Sequence, residues 1–197
     1  EFGKAPSTAW QIPLLKEAYH NASMVLPVSE KLVEDTACYY GNDYRWQYLS
    51  NMIDTDYFSY QPRQSSDGLR FRFCCLADYS IRKGFDVLFA AFRQLQASGY
   101  EADLQIAGKG TDSRECLQAI KGQQLQHVKV HGLVSREVVR DILYQSDALV
   151  LASRSEVQPL VLLEAKSTGI PTIATECIPQ NLRIEGGCKS VPIDDES

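Results

Sequence analysis

Two glutamates are the residues of this sequence best suited to do chemistry. They lie in the stretch 153–165, SRSEVQPLVLLEA, where seven residues separate Glu156 from Glu164. Glu164 stands in an apolar helical pattern, and a carboxylate in such surroundings is desolvated unless a cation pairs with it. Three interpretations of Glu164 stay open: an ion pair with an Arg or Lys, a cap on a neighbouring loop, or a carboxylate that serves a binding site.

Several familiar catalytic and cofactor motifs are missing from the sequence. The GKG at 108–110 follows a strand-like run, but a dinucleotide-binding motif also needs Gly at position 113, which is Ser113. A P-loop fails in the same way, because the first Gly that it needs falls on Asp103. No histidine has metal-ligand spacing with a cysteine, and no GxSxG is present. We therefore expect neither a metal nor a cofactor.

The elements that must position these glutamates begin at residue 71, where short apolar runs alternate with helix-period segments. The predicted strands are 71–77, 102–108, 128–132, 148–153 and 171–175, and the predicted helices are 84–98, 114–125, 136–145 and 159–168. The alternation indicates an α/β fold, a doubly wound parallel sheet with helices on both faces. Ligands of such folds bind at the carboxyl ends of the strands, and Glu156 is expected at the end of the fourth strand.

The first 60 residues predict a smaller layer ahead of the main domain 71–197. Two helices and two short strands alternate there, with Ser29 as the cap of the second helix. The helices are predicted at 12–22 and 29–40, and the strands at 24–28 and 46–50. Residues 61–70, which include the polar and turn-rich QPRQSSDG, form a predicted linker.

Composition and charge exclude several classes of protein. The 197 residues carry 20 Lys and Arg against 25 Asp and Glu, and a net charge of −5 excludes a broad nucleic-acid surface. The longest apolar run is 87–92, far shorter than the roughly 18 residues that a membrane span requires. Nothing at the N-terminus resembles a signal peptide. The six cysteines form no CxxC pair, which favours buried free thiols in a reducing cytoplasm.

Six segments of the chain resemble, in the expected order, motifs of the retaining GT-B glycosyltransferases of family four, the glycosyl transferases group 1. The stretch 153–165 resembles the family's donor-binding signature, in which seven residues separate two glutamates. The other five segments are SE at 29–30, NMIDTDYF at 51–58, IRKGFDVL at 81–88, LQIAGKG at 104–110 and GIPTIAT at 169–175. The resemblance implies the C-terminal half of a GT-B fold, a Rossmann-like domain that binds a nucleotide sugar.

The resemblance also implies a role for each charged residue of the site. Glu164 would bind both ribose hydroxyls of the donor, since a carboxylate has two acceptor oxygens and no competing donor. Lys83 would neutralise the diphosphate as it departs, and Arg82 is a candidate substitute for a second cation of the family pattern. Glu156 would be the catalytic residue, which contacts the sugar hydroxyls and favours positive charge at the anomeric carbon.

Backbone groups would complete this implied donor site. The N–H groups that would meet the phosphates at a helix start are those of Gln158, Leu160 and Val161. Gly108 and Gly110 would let the backbone approach the ligand closely, or they are plain turn residues. The loop 131–134, which ends at Val134, would hold the nucleobase. The acceptor would enter from the side of the departing diphosphate, with retention of configuration and no dedicated base on this chain.

Three departures from the family pattern leave alternatives open. Asp78 stands where the family has an Arg, which removes one diphosphate cation. The run 157–159, VQP, replaces a frequent Gly-Phe-Gly or Gly-Phe-Pro, and 178–181, IPQN, replaces a Gly-Gly-x-x-Glu. The alternatives to an active transferase are a non-catalytic nucleotide- or glycan-binding module of the same fold and an epimerase-like GT-B protein.

The implied activity is that of a hexosyltransferase-like enzyme of polysaccharide or glycoconjugate biosynthesis. Its partners would be a nucleoside-diphosphate sugar and a glycan or lipid-linked acceptor, in the cytoplasm or at the inner face of the membrane. Residues 1–60 would be the tail of an N-terminal domain that binds the acceptor, together with the interdomain segment. The chain would end before the family's final crossover helix, and we expect it to be inactive alone.

Overall fold

A computed structural model describes residues 10–62, 70–179, 182–183 and 187–194 of the chain. The helices in these ranges are α1 (Gln11–Asn21), α2 (Glu30–Tyr40), α3 (Phe85–Ala97), α4 (Arg114–Gly122), α5 (Arg136–Gln145) and α6 (Leu160–Thr168). The strands are β1 (Phe71–Leu76), β2 (Ala102–Ala107), β3 (Val128–Val130), β4 (Ala148–Leu151), β5 (Thr172–Thr175) and β6 (Cys188–Val191). A short 3₁₀ turn, Ile81–Lys83, precedes α3.

The strands form one parallel sheet in the order β3-β2-β1-β4-β5-β6. The chain builds the sheet outward from β1 to β3 and then returns to place β4 on the other side of β1. The boundary between β1 and β4 is therefore the topological switch point, where α/β folds bind ligands beside the carboxyl ends of the strands. The sheet confirms the predicted α/β, Rossmann-like class.

Two apolar cores lie on opposite faces of the sheet. Cys74 packs into the core beneath α5 and α6, and its neighbour Cys75 packs into the core beneath α3. Adjacent residues of a strand point to opposite faces, so these two cysteines cannot pair with each other. None of the six cysteines forms a disulfide, in agreement with the prediction. Cys38 is exposed and two others are only half-buried, so burial was predicted correctly for three.

The start of α3 is held against the end of β4 by Gly84. This glycine has φ of +68°, and a Cβ atom at its position would lie 1.9 Å from the carbonyl oxygen of Ala152. A side chain there would be both strained and blocked by backbone, so only glycine allows this approach. The contact brings the turn that carries Arg82 and Lys83 to the loop that follows β4.

The predicted strands 24–28 and 46–50 are wrong. The two segments run side by side, but they form a single parallel bridge between Val25 and Trp46. Three backbone hydrogen bonds join them, the last from Leu49 N–H to the carbonyl of Pro27. Between the second and third of these bonds a parallel ladder requires one from the N–H of residue 27 to the carbonyl of Gln47, and proline has no N–H. The N-terminal layer therefore consists of α1, α2 and extended chain.

Smaller differences separate the predicted elements from the observed ones. Strand β6 was missed because CKSV has no apolar run, and it pairs with β5 through Thr172 and Cys188. Ser29 occupies the N-cap position of α2, but its side chain makes no capping hydrogen bond. Pro159 is the N-cap of α6, not its first helical residue. Residues 63–69 of the predicted linker, and Gln180 and Asn181 of the IPQN run, lie outside the described residues.

Candidate functional site

A cleft of about 280 Å³ opens at the carboxyl ends of β1 and β2, beside the first turn of α6. The predicted site residues that line it are Gly108, Val134, Leu160, Val161 and Glu164. The remaining lining residues are Leu76, Ala77, Asp78, Ala107, Leu133 and Val139. The cleft therefore has mostly apolar walls, and it lies where the sheet topology directs a ligand.

Glu164 is half-buried on α6, one turn after the start of that helix. Burial raises the pKa of its carboxyl, and the charge of Arg136 acts in the opposite direction. Among the described residues, none forms a hydrogen bond or a salt bridge with this carboxylate. The ion-pair and loop-cap interpretations of Glu164 therefore find no support there, and its acceptor oxygens are available to a ligand.

Glu156 lies in the loop after β4, five residues beyond Leu151, and not at the strand end as predicted. Its side chain is 6% exposed and is surrounded by donors. Lys83 Nζ donates to Oε1 at 2.5 Å, and Ser153 Oγ donates to the same oxygen at 2.7 Å. A guanidinium nitrogen of Arg82 lies 3.8 Å from Oε2. The structure thus gathers the predicted catalytic carboxylate and both predicted diphosphate cations into one cluster, in which two cations face one anion.

Arg154 fixes the loop that carries Glu156, a role that the sequence analysis missed. Its guanidinium donates two hydrogen bonds to Asp86 at 2.7 Å each and one to the carbonyl of Ile81 at 2.6 Å. Its Nε lies 2.7 Å from a carboxylate oxygen of Asp194. The only sequence signal for this role is the place of Arg154 two residues before Glu156.

Gly108 and Gly110 both have structural reasons to be glycine. Gly108 has φ of +139°, and a Cβ there would lie 2.1 Å from the carbonyl oxygen of Ala77 at the end of β1. Gly110 has φ of +81° and is not among the residues that line the cleft. The close approach seen at Gly108 is to protein backbone, which favours the turn-residue interpretation. Contact between either backbone and a ligand stays a prediction.

Asp78, the departure from the family's Arg, lines the cleft and holds the neighbouring turn. Its Oδ1 accepts a hydrogen bond from the backbone N–H of Lys109 at 2.9 Å. The backbone of Tyr79 donates to the carbonyl of Lys109 at 2.9 Å, so the turns that follow β1 and β2 are joined at Lys109 by both of its backbone polar groups. The cleft therefore contains a carboxylate at a position where the family pattern has a cation.

Gln158 does not line the cleft, and its side chain is turned toward the segment 48–51. Its Oε1 accepts from the backbone N–H of Asn51 at 2.6 Å, and its Nε2 donates to Ser50 Oγ at 2.7 Å. Sequence reasoning placed only its backbone in the site. No local pattern could have revealed these side-chain contacts, because the partners are more than 100 residues away in the chain.

A larger concavity of about 630 Å³ lies at the opposite end of the sheet, where the strands begin. It is lined mainly by apolar side chains near the amino ends of the strands, among them Phe71, Phe73, Leu95, Tyr100 and Pro171. Helix N-termini and carboxyl strand ends, which supply the polar groups of α/β binding sites, face the other edge. The smaller cleft beside α6 is therefore the candidate site. In the described ranges, no three metal-ligating side chains gather, and no helix is long and apolar enough to cross a membrane.

Comparison with known proteins finds that the chain is similar to sugar transferases. A family model described as glycosyl transferases group 1 matches residues 70–195. The phosphatidylinositol N-acetylglucosaminyltransferase GPI3 subunit of Saccharomyces cerevisiae (strain YJM789) is 32% identical over 95 residues, which are 48% of this chain and 21% of that protein. Mannosylfructose-phosphate synthase of Agrobacterium fabrum is 32% identical over 109 residues, 51% of this chain and 24% of that protein.

A solved structure shows the same architecture over nearly the whole chain. Sucrose-phosphate synthase from Thermosynechococcus elongatus superposes with a TM-score of 0.82 and covers 96% of this chain and 50% of its own. Its sequence identity of 19% makes this a likeness of fold alone. The chain thus covers half of this neighbour and about a quarter or less of the two related proteins.

Proposed function

Because the chain belongs to the glycosyl transferases group 1 family, we propose that residues 71–197 bind the donor of a retaining sugar transferase. The donor is a nucleoside-diphosphate sugar, and the acceptor is a glycan or a lipid-linked molecule of polysaccharide or glycoconjugate biosynthesis. One observation carries the proposal: a half-buried carboxylate, Glu164, faces a cleft at the carboxyl ends of β1 and β2 and has no hydrogen-bond or salt-bridge partner among the described residues.

The nucleoside is held by Glu164 and the walls of the cleft. The carboxylate accepts hydrogen bonds from both ribose hydroxyls, and partial burial strengthens those bonds because less water competes for it. The loop that ends at Val134 holds the base, and the exposed side chain of Leu133 offers it an apolar surface. The first N–H groups of α6, at Leu160 and Val161, face the phosphates, where the helix dipole favours negative charge.

The reaction uses the cluster of Arg82, Lys83 and Glu156. A bound diphosphate attracts the two cations, which stabilise the charge that grows on it as its bond to the anomeric carbon breaks. Glu156 then faces the positive charge that develops on the sugar. The acceptor oxygen forms its bond to the anomeric carbon from the leaving-group side, and its proton passes to a phosphate oxygen. Configuration is retained, and no metal or cofactor takes part.

The acceptor lies mainly against an N-terminal domain, of which residues 1–60 are the tail. The name of the yeast relative states transfer to phosphatidylinositol, which favours a lipid-linked acceptor here. The six cysteines form no disulfide with one another in the structure, which favours a cytoplasmic location, at the inner face of the membrane for such an acceptor. We expect this chain alone to bind the donor without turning it over.

The donor site is tested by calorimetric titration of this chain with UDP, GDP and ADP. One of the three should bind and raise the melting temperature, since a ligand at 100 times its Kd stabilises by about 2.7 kcal/mol. Glu164→Gln should weaken that binding about 10- to 100-fold, because it replaces a charged acceptor. Glu17→Gln, an exposed carboxylate on α1, is the matched control and should bind as the wild type does. The assignment fails if no diphosphate binds at millimolar concentration, or if Glu164→Gln binds normally.

The presence of Asp78 in the cleft favours one alternative, a nucleotide- or glycan-binding module without catalysis. A carboxylate beside the phosphates repels them, and a module that does not need to release a diphosphate tolerates this more easily. The full-length protein decides between the two functions. A transferase hydrolyses or transfers the sugar of its donor and loses that activity in Glu156→Ala, whereas a module binds nucleotide and never turns over.

A further inference from the structure

Gln158 joins the candidate site to the N-terminal part of the chain. We infer that it is a positioning residue, which holds the first turn of α6 in the conformation that receives the donor and uses the segment 48–51 as its anchor. The inference rests on the proposed function, because the donor phosphates are what this turn is positioned for. It concerns the side chain of Gln158 and is independent of any contact between its backbone and a phosphate.

The side chain of Gln158 is 8% exposed, and the segment 48–51 satisfies both of its polar ends. Its Oε1 accepts from Asn51 N–H at 2.6 Å, and its Nε2 donates to Ser50 Oγ at 2.7 Å. The side-chain amide of Asn51 reaches the backbone carbonyl of Gln158 at 3.4 Å. A buried amide is costly without partners, so these bonds hold the side chain in one place.

The anchor is itself fixed to the rest of the molecule at both ends. Just before it, Gln47 N–H donates to the carbonyl of Val25, and within it Leu49 N–H donates to the carbonyl of Pro27. After it, Phe58 is fully buried in the core that also contains Leu162 of α6. The segment 48–51 therefore cannot shift without disturbing both the N-terminal layer and that core.

The sequence position of Gln158 gives this anchor an effect on the site. It lies two residues after Glu156 and two before Leu160, the first residue of α6. Pro159, between Gln158 and Leu160, has a restricted φ, so a motion of Gln158 is passed on to the start of α6. When a loop samples several conformations, its apparent affinity for a ligand is reduced to the fraction of molecules that have the binding-competent conformation. Loss of the anchor should therefore weaken binding without removing any ligand contact.

Ser50→Ala and Gln158→Ala test the inference on this chain, by titration with UDP, GDP and ADP. Ser50 does not line the cleft, so an effect of its substitution cannot come from a lost contact with the nucleotide. Ser50→Ala removes one hydrogen bond and should raise the Kd of the nucleotide that binds the wild type by about fivefold. Gln158→Ala removes two and should raise that Kd at least as much. The Kd of the double variant should exceed that of Gln158→Ala by at most about twofold, because the two substitutions break the same connection. Gln118→Ala, an exposed glutamine on α4, should leave the Kd unchanged.

Hydrogen exchange measures a quantity that a purely structural role of Gln158 would leave unchanged, namely the response of a distant amide to the nucleotide. If the anchor and the donor turn are coupled, the coupling acts in both directions. Saturating nucleotide should slow exchange of the Asn51 amide in the wild type and slow it less in Ser50→Ala, which keeps the hydrogen bond from Asn51 N–H to Gln158 Oε1 but loses the one from Nε2. That variant also keeps the test decisive if Gln158→Ala does not fold.

The two proposals fail in different ways. If no nucleotide binds the wild type, the proposed function falls and the positioning role falls with it. If a nucleotide binds the wild type, and Ser50→Ala and Gln158→Ala bind it equally well or more tightly, only the positioning role is refuted.

Discussion

Replacement of Arg154 by methionine should lower the free energy of unfolding by about 2 kcal/mol. The guanidinium joins the loop after β4 to Asp86 on α3, to Ile81 in the preceding turn and to Asp194 after β6. Methionine keeps the apolar stem of the side chain and removes every one of these bonds. The substitution therefore isolates the polar connection from packing.

The size of this effect follows from the exposure of the groups that Arg154 joins. Its own side chain is 15% exposed, but Asp86 and Asp194 are 57% and 56% exposed. Hydrogen bonds to charged groups contribute about 1.5–3 kcal/mol, whereas exposed ion pairs contribute only about 0.2–1 kcal/mol. With solvent screening at both carboxylates, two such pairs and one bond to a carbonyl sum to about 2 kcal/mol. For a chain of this length the melting temperature should fall by about 4–8 °C.

The loss caused by Arg154→Met should also depend on pH. The hydrogen bonds from Arg154 lower the pKa of Asp86 below its ordinary value of 3.8. A carboxyl whose pKa is depressed by folding stabilises the protein above the unfolded pKa, and this contribution is lost as the pH falls through the folded pKa. The difference between wild type and variant should therefore be full at neutral pH and shrink below about pH 4.

Urea denaturation near pH 7 and near pH 3 measures both effects in one experiment. The matched control is Arg93→Met, because Arg93 is an exposed arginine on α3, the helix that carries Asp86. This substitution should change the free energy of unfolding by less than about 0.5 kcal/mol. The reasoning is refuted if Arg154→Met is no worse than Arg93→Met at neutral pH. It is also refuted if the difference persists unchanged in acid.

Three further predictions concern backbone strain, thiol burial and the buried carboxylate. Gly108→Ala should cost at least about 2 kcal/mol in urea denaturation, because its Cβ meets backbone, whereas Gly122→Ala at the open end of α4 should be neutral or stabilising. In the folded protein a thiol reagent should modify exposed Cys38 rapidly and leave Cys75 unmodified until urea unfolds the chain, since burial raises the Cys75 pKa to about 12. Folding raises the pKa of Glu164, so its contribution to stability is lost as the pH rises from the unfolded pKa through the folded one. Glu164→Gln should therefore be at least as stable as the wild type near pH 7. The prediction is contradicted if urea titrations show that the variant has a lower free energy of unfolding than the wild type, by the same amount in acid and at neutral pH.

Much of the main domain was predictable from the sequence because its elements are set by local patterns. The helix predicted at 136–145 matches α5 in full, and the strands predicted from residue 71 onward agree with β1 to β5 within one to two residues at each end. Apolar periodicity indicates such elements wherever one face is buried. Where a pattern was weak or interrupted, prediction failed: β6 is short and polar, and Pro27 stops a ladder that the apolar residues around it suggested.

The candidate site was predictable only in part, because its members come from separate loops. The stretch 153–165 indicated Glu156 and Glu164, and five of the ten predicted site residues do line one cleft. Nothing in that stretch showed that Lys83 would pair with Glu156, or that the Gln158 side chain would leave the site for Asn51. The sequence would equally have allowed a salt bridge between Glu164 and an Arg or Lys. That Glu164 has no hydrogen-bond or salt-bridge partner among the described residues is a property of the fold.

The sequence by itself determined the type of each helix and strand from β1 to β5, the parallel α/β class and the two glutamates of the site. These follow from the spacing of apolar residues and from residue types within short windows. Only the tertiary structure decided which charged groups meet, since Lys83 and Glu156 are 73 positions apart and Asn51 and Gln158 are 107 apart. Such contacts depend on the order of strands in the sheet and on the close approach of loops at its carboxyl edge. Strand order results from packing of the whole chain, which no local window of sequence contains.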